Sequence, residues 1–303
     1  MNRLAVAGVV LACTLLCRPA FAQVDERIMY ASVVDDKGQP VLGLNARDLI
    51  VREDGQAREI LRVAKDDDPM QVALLVDNSV EMRDKVSDLR KAIAAFITSL
   101  RPGVQVALLT LAERPTIVVG YTADKAALLK GVDRIVAYDA GNYVLDGIAE
   151  ASEGLSKRTL ARSVMVVVTG QGPELSYRHY TDALRPLRES GAALHAIMVT
   201  AANIEGALHA VERGNPADSG GGIGGVGRDI VLGRMTKETG GRYEEVLSMS
   251  ALTAKLQQLS NEISNQYRVT FARPQRLIPP KSTEIRARQP NQHARGMLLK
   301  TDK

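Results

Sequence analysis

Two acids and a serine follow an apolar run in the first third of the chain. Residues 71–76 read Gln-Val-Ala-Leu-Leu-Val, a pattern that predicts a buried strand, and Asp77, Ser79 and Glu81 come directly after it. In an open α/β sheet, ligands bind beyond the carboxyl ends of the strands, beside the point where the strand order reverses. Carboxylate and hydroxyl oxygens suit Mg²⁺ or Mn²⁺. The pattern therefore predicts an oxygen-lined site at the end of this strand.

The surrounding segments predict the sheet that positions these residues. From residue 71 to 271, apolar strands alternate with helices, which predicts an α/β fold with a doubly wound, mostly parallel sheet covered on both faces. The tight connection between the strands at 104–111 and 116–121 favours an antiparallel pair. Residues 27–63 instead alternate as short strands, including one at 41–44, and predict a small β module.

A glycine-rich stretch interrupts this alternation late in the chain. Residues 214–227 hold seven of the 25 glycines, and residues 222–227 fit the letters of a dinucleotide-binding fingerprint. That fingerprint must join a strand directly to a helix, whereas the preceding predicted strand ends near Val199. We therefore expect an insertion loop here, followed by a helix near residues 229–238.

The amino terminus reads as a signal peptide. Arg3 precedes an apolar run at 4–16, and Ala20-Phe21-Ala22 supplies a small-residue cleavage site. Cys13 and Cys17 both lie in this leader, so a mature chain without it has no disulfide or thiolate chemistry. No later apolar run reaches the roughly 20 residues of a membrane span. We expect a periplasmic or secreted protein.

Charge is concentrated at the carboxyl end. Residues 272–303 carry eight Lys and Arg against two acids, a net charge of +6. The stretch lacks the interleaved aromatic residues that bind single-stranded nucleic acid, so we expect no nucleic-acid partner. The whole chain is divided as follows: signal peptide 1–22, small β module 23–68, doubly wound domain 69–271, and basic tail 272–303 with a possible extra strand.

Several motifs together resemble a von Willebrand factor type A domain over about residues 70–271. They are the strand that ends in Asp77-Asn-Ser79, the helix behind it, the antiparallel strand pair and the run Lys237-Glu-Thr-Gly-Gly-Arg-Tyr243. The flanking segments 34–44, 49–55 and 266–271 are similar to those of a family of secreted bacterial von Willebrand A-related proteins that is abundant in acidobacteria. The resemblance implies a protein-interaction or adhesion module.

The resemblance also implies a metal-ion-dependent adhesion site made by three loops, and this chain departs from its pattern. The first loop offers Asp77 and Ser79 but has Glu81 where the family has serine. The second has Asn142 in place of threonine, and the third has Gly170 in place of aspartate. We therefore expect a degenerate, metal-free site. The alternative is Mg²⁺ or Ca²⁺ held by Asp77, Ser79, Glu81 and Asn142.

The same edge is the expected contact surface for an unidentified protein partner of a monomeric chain. The partner-binding residues are predicted to be Asp77, Ser79, Arg83, Asn142, Tyr143, Gly170 and Tyr177. Zinc-binding spacing is absent among the four histidines, and no Gly-x-Ser-x-Gly motif occurs, so we expect no enzyme. The alternative function is a hydrolase that uses a metal or Ser79 at this edge.

Overall fold

The computed structural model describes residues 24–158, 162–200, 223–274 and 278–298. The strands of these residues are β1 Val24–Asp35, β2 Leu49–Glu53, β3 Gln56–Arg58, β4 Ile60–Lys65, β5 Met70–Val76, β6 Gln105–Thr110, β7 Thr116–Thr122, β8 Arg162–Gly170, β9 Ala193–Val199, β10 Tyr243–Val246, β11 Tyr267–Pro274, β12 Thr283–Ala287 and β13 Gln292–Leu298. The helices are α1 Val86–Ser99, α2 Lys125–Asp133, α3 Val144–Ser156, α4 Tyr180–Ser190, α5 Ile223–Glu238 and α6 Met249–Ser264. The predicted signal peptide lies outside the described residues.

A six-stranded sheet forms the centre of the molecule, with strand order β10-β9-β8-β5-β6-β7. The ladders are parallel except for β7, which runs antiparallel to β6. Every residue of β5 and β8 is buried, because helices cover both faces of the sheet. Helices α1, α2 and α6 pack on one face, and α3, α4 and α5 on the other. The predicted α/β fold class is confirmed.

The order in which strands are added to the sheet reverses between β5 and β8. From β5 the chain moves outward to β6 and β7, and it then crosses back to place β8 on the other side of β5. The carboxyl ends of β5 and β8 therefore flank the switch point, where open sheets place their ligands. Asp77 follows the first of these strands and Gly170 ends the second.

Two local predictions differ from the structure. No strand forms at residues 41–44, since Gly43 adopts a left-handed φ of +79° and Leu42 is exposed. The helix expected from residue 229 already begins at Ile223, so residues 223–227 of the glycine-rich stretch are helical, and residues 201–222 lie outside the described part.

Two smaller sheets, with strand orders β13-β1-β11-β4 and β12-β2-β3, enclose a second core. Strand β11, which the sequence assigns to the end of the doubly wound domain, pairs instead with β1 and β4. The basic tail supplies β12 and β13. The amino-terminal strands, β11 and the tail therefore share one apolar core, built around residues such as Met29, Val51 and Phe271.

We call the two smaller sheets and their shared core the small β body. A buried ion pair joins it to the central domain. The guanidinium of Arg162, at the start of β8, pairs with Asp66 and also donates to the carbonyl oxygen of Ile263, and both charged side chains are fully buried. The Tyr30 hydroxyl donates to Asp68 over 2.7 Å. Breaking a buried pair on one side leaves a charge without compensation, at a cost of about 3–5 kcal/mol. The acidic run 66–68 thus fixes the two bodies against each other.

None of the described helices is long and apolar enough to cross a membrane.

A second charged cluster at this junction surrounds His195 on β9. Neither ring nitrogen of this buried histidine has a hydrogen-bond partner among the described residues, and burial lowers its pKa to about 4, with Arg242, Arg295 and Arg162 acting in the same direction. Glu262 accepts from Arg295 over 2.7 Å. Burial opposes ionisation of Glu262, but Arg295, His195 and Arg242 outweigh it and hold its pKa below the usual value.

His195 should make stability depend on pH between 7 and 5. The ordinary pKa of 6.5 applies to the unfolded chain, and the folded value is about 4, so the unfolded state binds more protons in this window. Stability is full above pH 6.5 and should fall by about 2 kcal/mol on acidification from pH 7 to 5. Urea unfolding at each pH measures this slope.

The variant His195→Gln should lose most of that slope, whatever its stability at pH 7. The matched control is His293→Gln, because His293 is exposed and pairs with Asp36 at the surface. Glu262 releases its own contribution only below about pH 4.5, outside the measured window. An unchanged slope in His195→Gln would show that another group titrates.

Candidate functional site

The carboxylate of Asp77 ties three loops together at the carboxyl edge of the sheet. Its Oδ1 accepts from the backbone N–H of Ser79 over 2.9 Å. Its Oδ2 accepts from the backbone N–H of Gly170 over 2.9 Å, the hydroxyl of Thr169 over 3.1 Å and the amide Nδ2 of Asn142 over 3.1 Å. Asp77 is fully buried, so these protein donors replace the water that the charge has lost.

Asn142 holds its position through its backbone as well as its side chain. Its N–H donates to Pro173 over 3.0 Å, and its carbonyl accepts from Leu175 over 2.8 Å. Because the amide nitrogen faces Asp77, the Oδ1 of Asn142 is left buried without a partner among the described residues, as is the Oγ of Ser79. Two neutral oxygens therefore lie unsatisfied near a carboxylate that accepts four hydrogen bonds from the protein.

Glu81 lies over the glycines of the third loop. A Cβ atom added at Gly170 would lie 2.8 Å from the Cγ of Glu81, and one added at Gly172 would lie 3.1 Å from its Cβ. The carboxylate of Glu81 reaches the Nζ of Lys85 over 3.3 Å, at a site that is one-third exposed. Glu81 thus fills the space into which a longer side chain at position 170 would extend.

These donors do not fit a divalent ion of the kind that the sequence pattern implies. Mg²⁺ requires near-octahedral oxygen ligands at about 2.1 Å and is held by carboxylates. Here Asp77 is occupied by protein donors, Glu81 is paired with Lys85, and Gly170 supplies no side chain. The described residues contain no group of three or more acids, histidines or cysteines that could hold a metal. What remains for an ion is the neutral pair Ser79 Oγ and Asn142 Oδ1.

The remaining predicted contact residues lie on the rim of this site. Arg83 pairs with Asp139 over 2.8 Å, and both side chains are exposed. The rings of Tyr143 and Tyr177 lie 5.8 Å apart, and Tyr177 is 89% exposed. The predicted residues therefore converge in two layers, with Asp77, Ser79, Asn142 and Gly170 buried below and the Tyr and Arg side chains above.

Two acidic side chains, Glu174 and Asp146, fix the backbone of the segments that carry Tyr143 and Tyr177. The carboxylate of Glu174 accepts from the N–H of Val144 over 3.1 Å and so caps α3, and burial raises the pKa of Glu174. Asp146, inside α3, accepts from the N–H groups of Tyr177 over 3.0 Å and Arg178 over 3.1 Å. The loop after β8 is therefore pinned to the start of α3, and Tyr177 is held outward on a fixed backbone.

Sequence reasoning missed Arg228, whose buried side chain holds the third loop through hydrogen bonds to its backbone. Its side chain is 2% exposed and donates to the carbonyl oxygens of Gly172 over 2.9 Å and Gly170 over 3.3 Å. The residue lies in the first turns of α5, between the loop predicted at 214–227 and the helix predicted near 229–238. No spacing signal marked it, because its partners are backbone carbonyls more than fifty residues away.

Exposed apolar side chains gather around the same edge. The described residues have twelve large exposed hydrophobic side chains, and seven of them follow or flank the carboxyl ends of the strands. These seven are Val80, Ile117, Val136, Tyr138, Leu175, Tyr177 and Leu247. We call this set the apolar rim. The set spans the whole edge, because Leu247 follows β10 and Ile117 lies on β7, the two outermost strands of the sheet.

The comparisons with known proteins agree with this architecture. Residues 72–173, from β5 to the loop after β8, match a family model described as von Willebrand factor type A domain. The chain contains a von Willebrand factor type A domain. That segment holds the switch point and all three loops of the site. The resemblance to a von Willebrand factor type A domain is therefore confirmed, whereas the narrower secreted bacterial family stays a prediction. A comparison with curated proteins found no matching relative.

Solved structures with similar folds are distant in sequence. Proximal thread matrix protein 1 from the mussel byssus is 14% identical with a TM-score of 0.47, and the match covers 70% of this chain and 49% of that one, so this chain spans about half of that protein. BatB from Bacteroides thetaiotaomicron is 16% identical with a TM-score of 0.46, covering 65% of this chain and 100% of that one. A von Willebrand factor type A protein from Catenulispora acidiphila is 12% identical with a TM-score of 0.49, covering 92% and 73% respectively.

The contact between Glu81 and Gly170 predicts a strong coupling between the two positions. The single change Gly170→Ala should destabilise the A domain by about 1–3 kcal/mol, since the added methyl overlaps the Glu81 side chain. The same change in a Glu81→Ser background should cost much less, because the overlap is gone. Denaturant unfolding of the four proteins in this cycle measures the coupling.

A glycine that touches no side chain controls for backbone effects. Gly154, inside α3, has no atom within 4 Å of an added Cβ, so Gly154→Ala should be neutral or stabilising. Additive costs at positions 81 and 170 would show that Glu81 does not occupy the third-loop space.

Proposed function

We propose that this chain is an extracytoplasmic protein-interaction module whose A domain binds a protein partner through the apolar rim, without a divalent ion. Von Willebrand A domains are in general protein-interaction and adhesion modules. The observation that carries the proposal is the combination of a buried carboxylate satisfied by protein donors and an exposed apolar rim directly above it. The extracytoplasmic location is supported by the signal peptide read from residues 1–22.

The rim is organised before any partner arrives. Tyr177 is the most exposed large apolar side chain of the described residues, yet its backbone is held by Asp146 and its ring lies against Tyr143. Aromatic anchors on fixed backbone lose little conformational entropy on binding, and Tyr is enriched among residues that dominate interface energies. Exposed apolar area on a fixed scaffold favours a protein surface as the ligand.

The hydrolase alternative has less support at this edge. The Ser79 hydroxyl is buried, and none of the described histidines bonds to it: His179 contacts Thr181, His293 contacts Asp36, and His195 lies in the junction with the β body. A serine nucleophile needs a base within hydrogen-bonding distance. Ser79 has no such partner among the described residues.

Divalent ions should have little effect on the melting temperature of the mature protein. An ion that binds only the folded state must stabilise it, by about 2.7 kcal/mol at 100 times its dissociation constant. With Asp77 occupied and Gly170 lacking a side chain, millimolar Mg²⁺ or Mn²⁺ should give no resolvable shift. Thermal melts with the chloride salts and with chelator measure this directly.

The triple variant Glu81→Ser, Asn142→Thr and Gly170→Asp should create a divalent-dependent shift. The first change clears the space next to position 170, and the other two restore a hydroxyl and an acid to the loops. The variant Asn142→Thr and Gly170→Asp with Glu81 retained serves as the control, and it should remain overlapped and unresponsive. A strong shift in the unmodified protein that is lost in Asp77→Ala would overturn the metal-free proposal.

Partner capture tests the rim itself. Mature protein immobilised on beads should capture one partner protein from an extracytoplasmic extract of the source cells, and adding chelator should not change that capture. The variant Tyr177→Ala should reduce recovery of the partner at least tenfold. Leu42→Ala is the control, since Leu42 is 66% exposed but lies in the β body. Equal loss in both variants, or loss on adding chelator, would contradict the proposal.

A further inference from the structure

A large cavity lies at the opposite end of the molecule from the apolar rim. It has a volume of about 640 Å³ and is formed where the carboxyl ends of α4 and α5 face the tail segments 280–284 and 296–297. Cavities of roughly 300–1,000 Å³ accommodate small molecules or short peptides. None of the residues assigned to the interaction edge contributes to it.

One wall of this cavity belongs to an unpaired strand edge. Strand β12 pairs with β2 and, within the described residues, with no strand on its other side. The first two residues of β12, Thr283 and Glu284, line the cavity together with the segment that leads into them. An edge strand presents free N–H and C=O groups, which form a template for adding an extended chain.

Positive charge exceeds negative charge around the cavity. Four basic residues line it, against Glu238 and Glu284. Both acids are already paired: Glu238 accepts from Arg188 over 2.9 Å and Arg234 over 2.5 Å, and Glu284 accepts from Arg286 over 3.1 Å. The other two basic residues, Lys237 and Lys281, are exposed and have no ion pair with any described residue. The cavity is therefore suited to a ligand that carries carboxylates.

Buried apolar residues complete the lining of the cavity. Met29, Leu187 and Met297 contribute to the cavity wall. All three are less than a tenth exposed, so they shape the wall and leave the charged side chains as the groups that a ligand meets. In an extended peptide successive side chains point to opposite faces, so acidic residues at alternate positions all face the lysines.

We propose that this cavity binds an acidic peptide in extended conformation, which pairs with the free edge of β12. The peptide backbone hydrogen-bonds to the edge near Thr283, and its carboxylates pair with Lys237 and Lys281. This is strand addition at a sheet edge, with charge selecting the sequence. The proposal does not depend on the function of the apolar rim.

The experiment uses a fluorescein-labelled, acetylated hexapeptide that alternates valine and glutamate. Fluorescence anisotropy at low ionic strength should show saturable binding to the mature protein, and the double variant Lys237→Glu and Lys281→Glu should weaken it at least tenfold. The matched control is Lys91→Glu with Lys130→Glu, the same charge change on α1 and α2, which should leave the affinity within twofold. Circular dichroism and thermal melts establish that each variant is folded.

Two further peptides separate strand pairing from simple charge attraction. A peptide with lysine in place of glutamate should not bind, and the valine-glutamate peptide with alternate backbone nitrogens methylated should bind at least tenfold more weakly, since it cannot donate to the strand edge. Equal affinity of the methylated peptide, equal competition by tripolyphosphate, equal weakening in the control variant or no saturable binding would each overturn the proposal.

Discussion

The carboxylate of Asp77 is the interaction on which the rest of the site depends. A charge taken fully out of water is tolerated only when donors surround it, and hydrogen bonds to a charged group contribute about 1.5–3 kcal/mol each. These donors come from the turn after β5, from Asn142 and from the end of β8. Burying one acid therefore forces three chain segments to meet at the switch point of the sheet. Arg228 and Glu174 then secure the backbone of those segments from behind and from the side.

Buried charges also organise the opposite end of the sheet, where they join two parts of the molecule. The pair formed by Arg162 and Asp66 and the cluster around Glu262 join the A domain to the small β body, and Glu262 accepts from Arg295 of the tail. Because breaking such a pair on one side is costly, the two bodies cannot separate easily. The carboxyl edge carries exposed apolar side chains, whereas the junction creates the basic cavity beside the edge of β12.

The sequence predicted the central sheet well because its signals are local. The apolar runs of β5 and β9, the helix periodicity and the tight connection between β6 and β7 each lie within a few residues of chain. The resemblance to von Willebrand factor type A domains also indicated which loops meet, because it placed Asn142 and Gly170 beside Asp77. The sequence could not predict the partners of β11 or the role of Arg228, which depend on contacts between distant segments. Nor does the letter Asn reveal which end of its amide faces Asp77, because that choice depends on the surrounding donors and acceptors.

The three departures from the family pattern act together rather than separately. Asparagine at 142 provides an N–H donor to Asp77, a role that a positive ion would otherwise fill, and glycine at 170 leaves room for the methylenes of Glu81. Without the glycine the glutamate would overlap its neighbour, and without the amide of Asn142 the buried acid would lose one of its four donors. A site assembled in this way is closed by its own side chains. In the proposed function, ion concentration does not switch the site, and affinity for a partner comes from apolar area and fixed geometry at the rim, which Tyr177 and its pinned backbone supply.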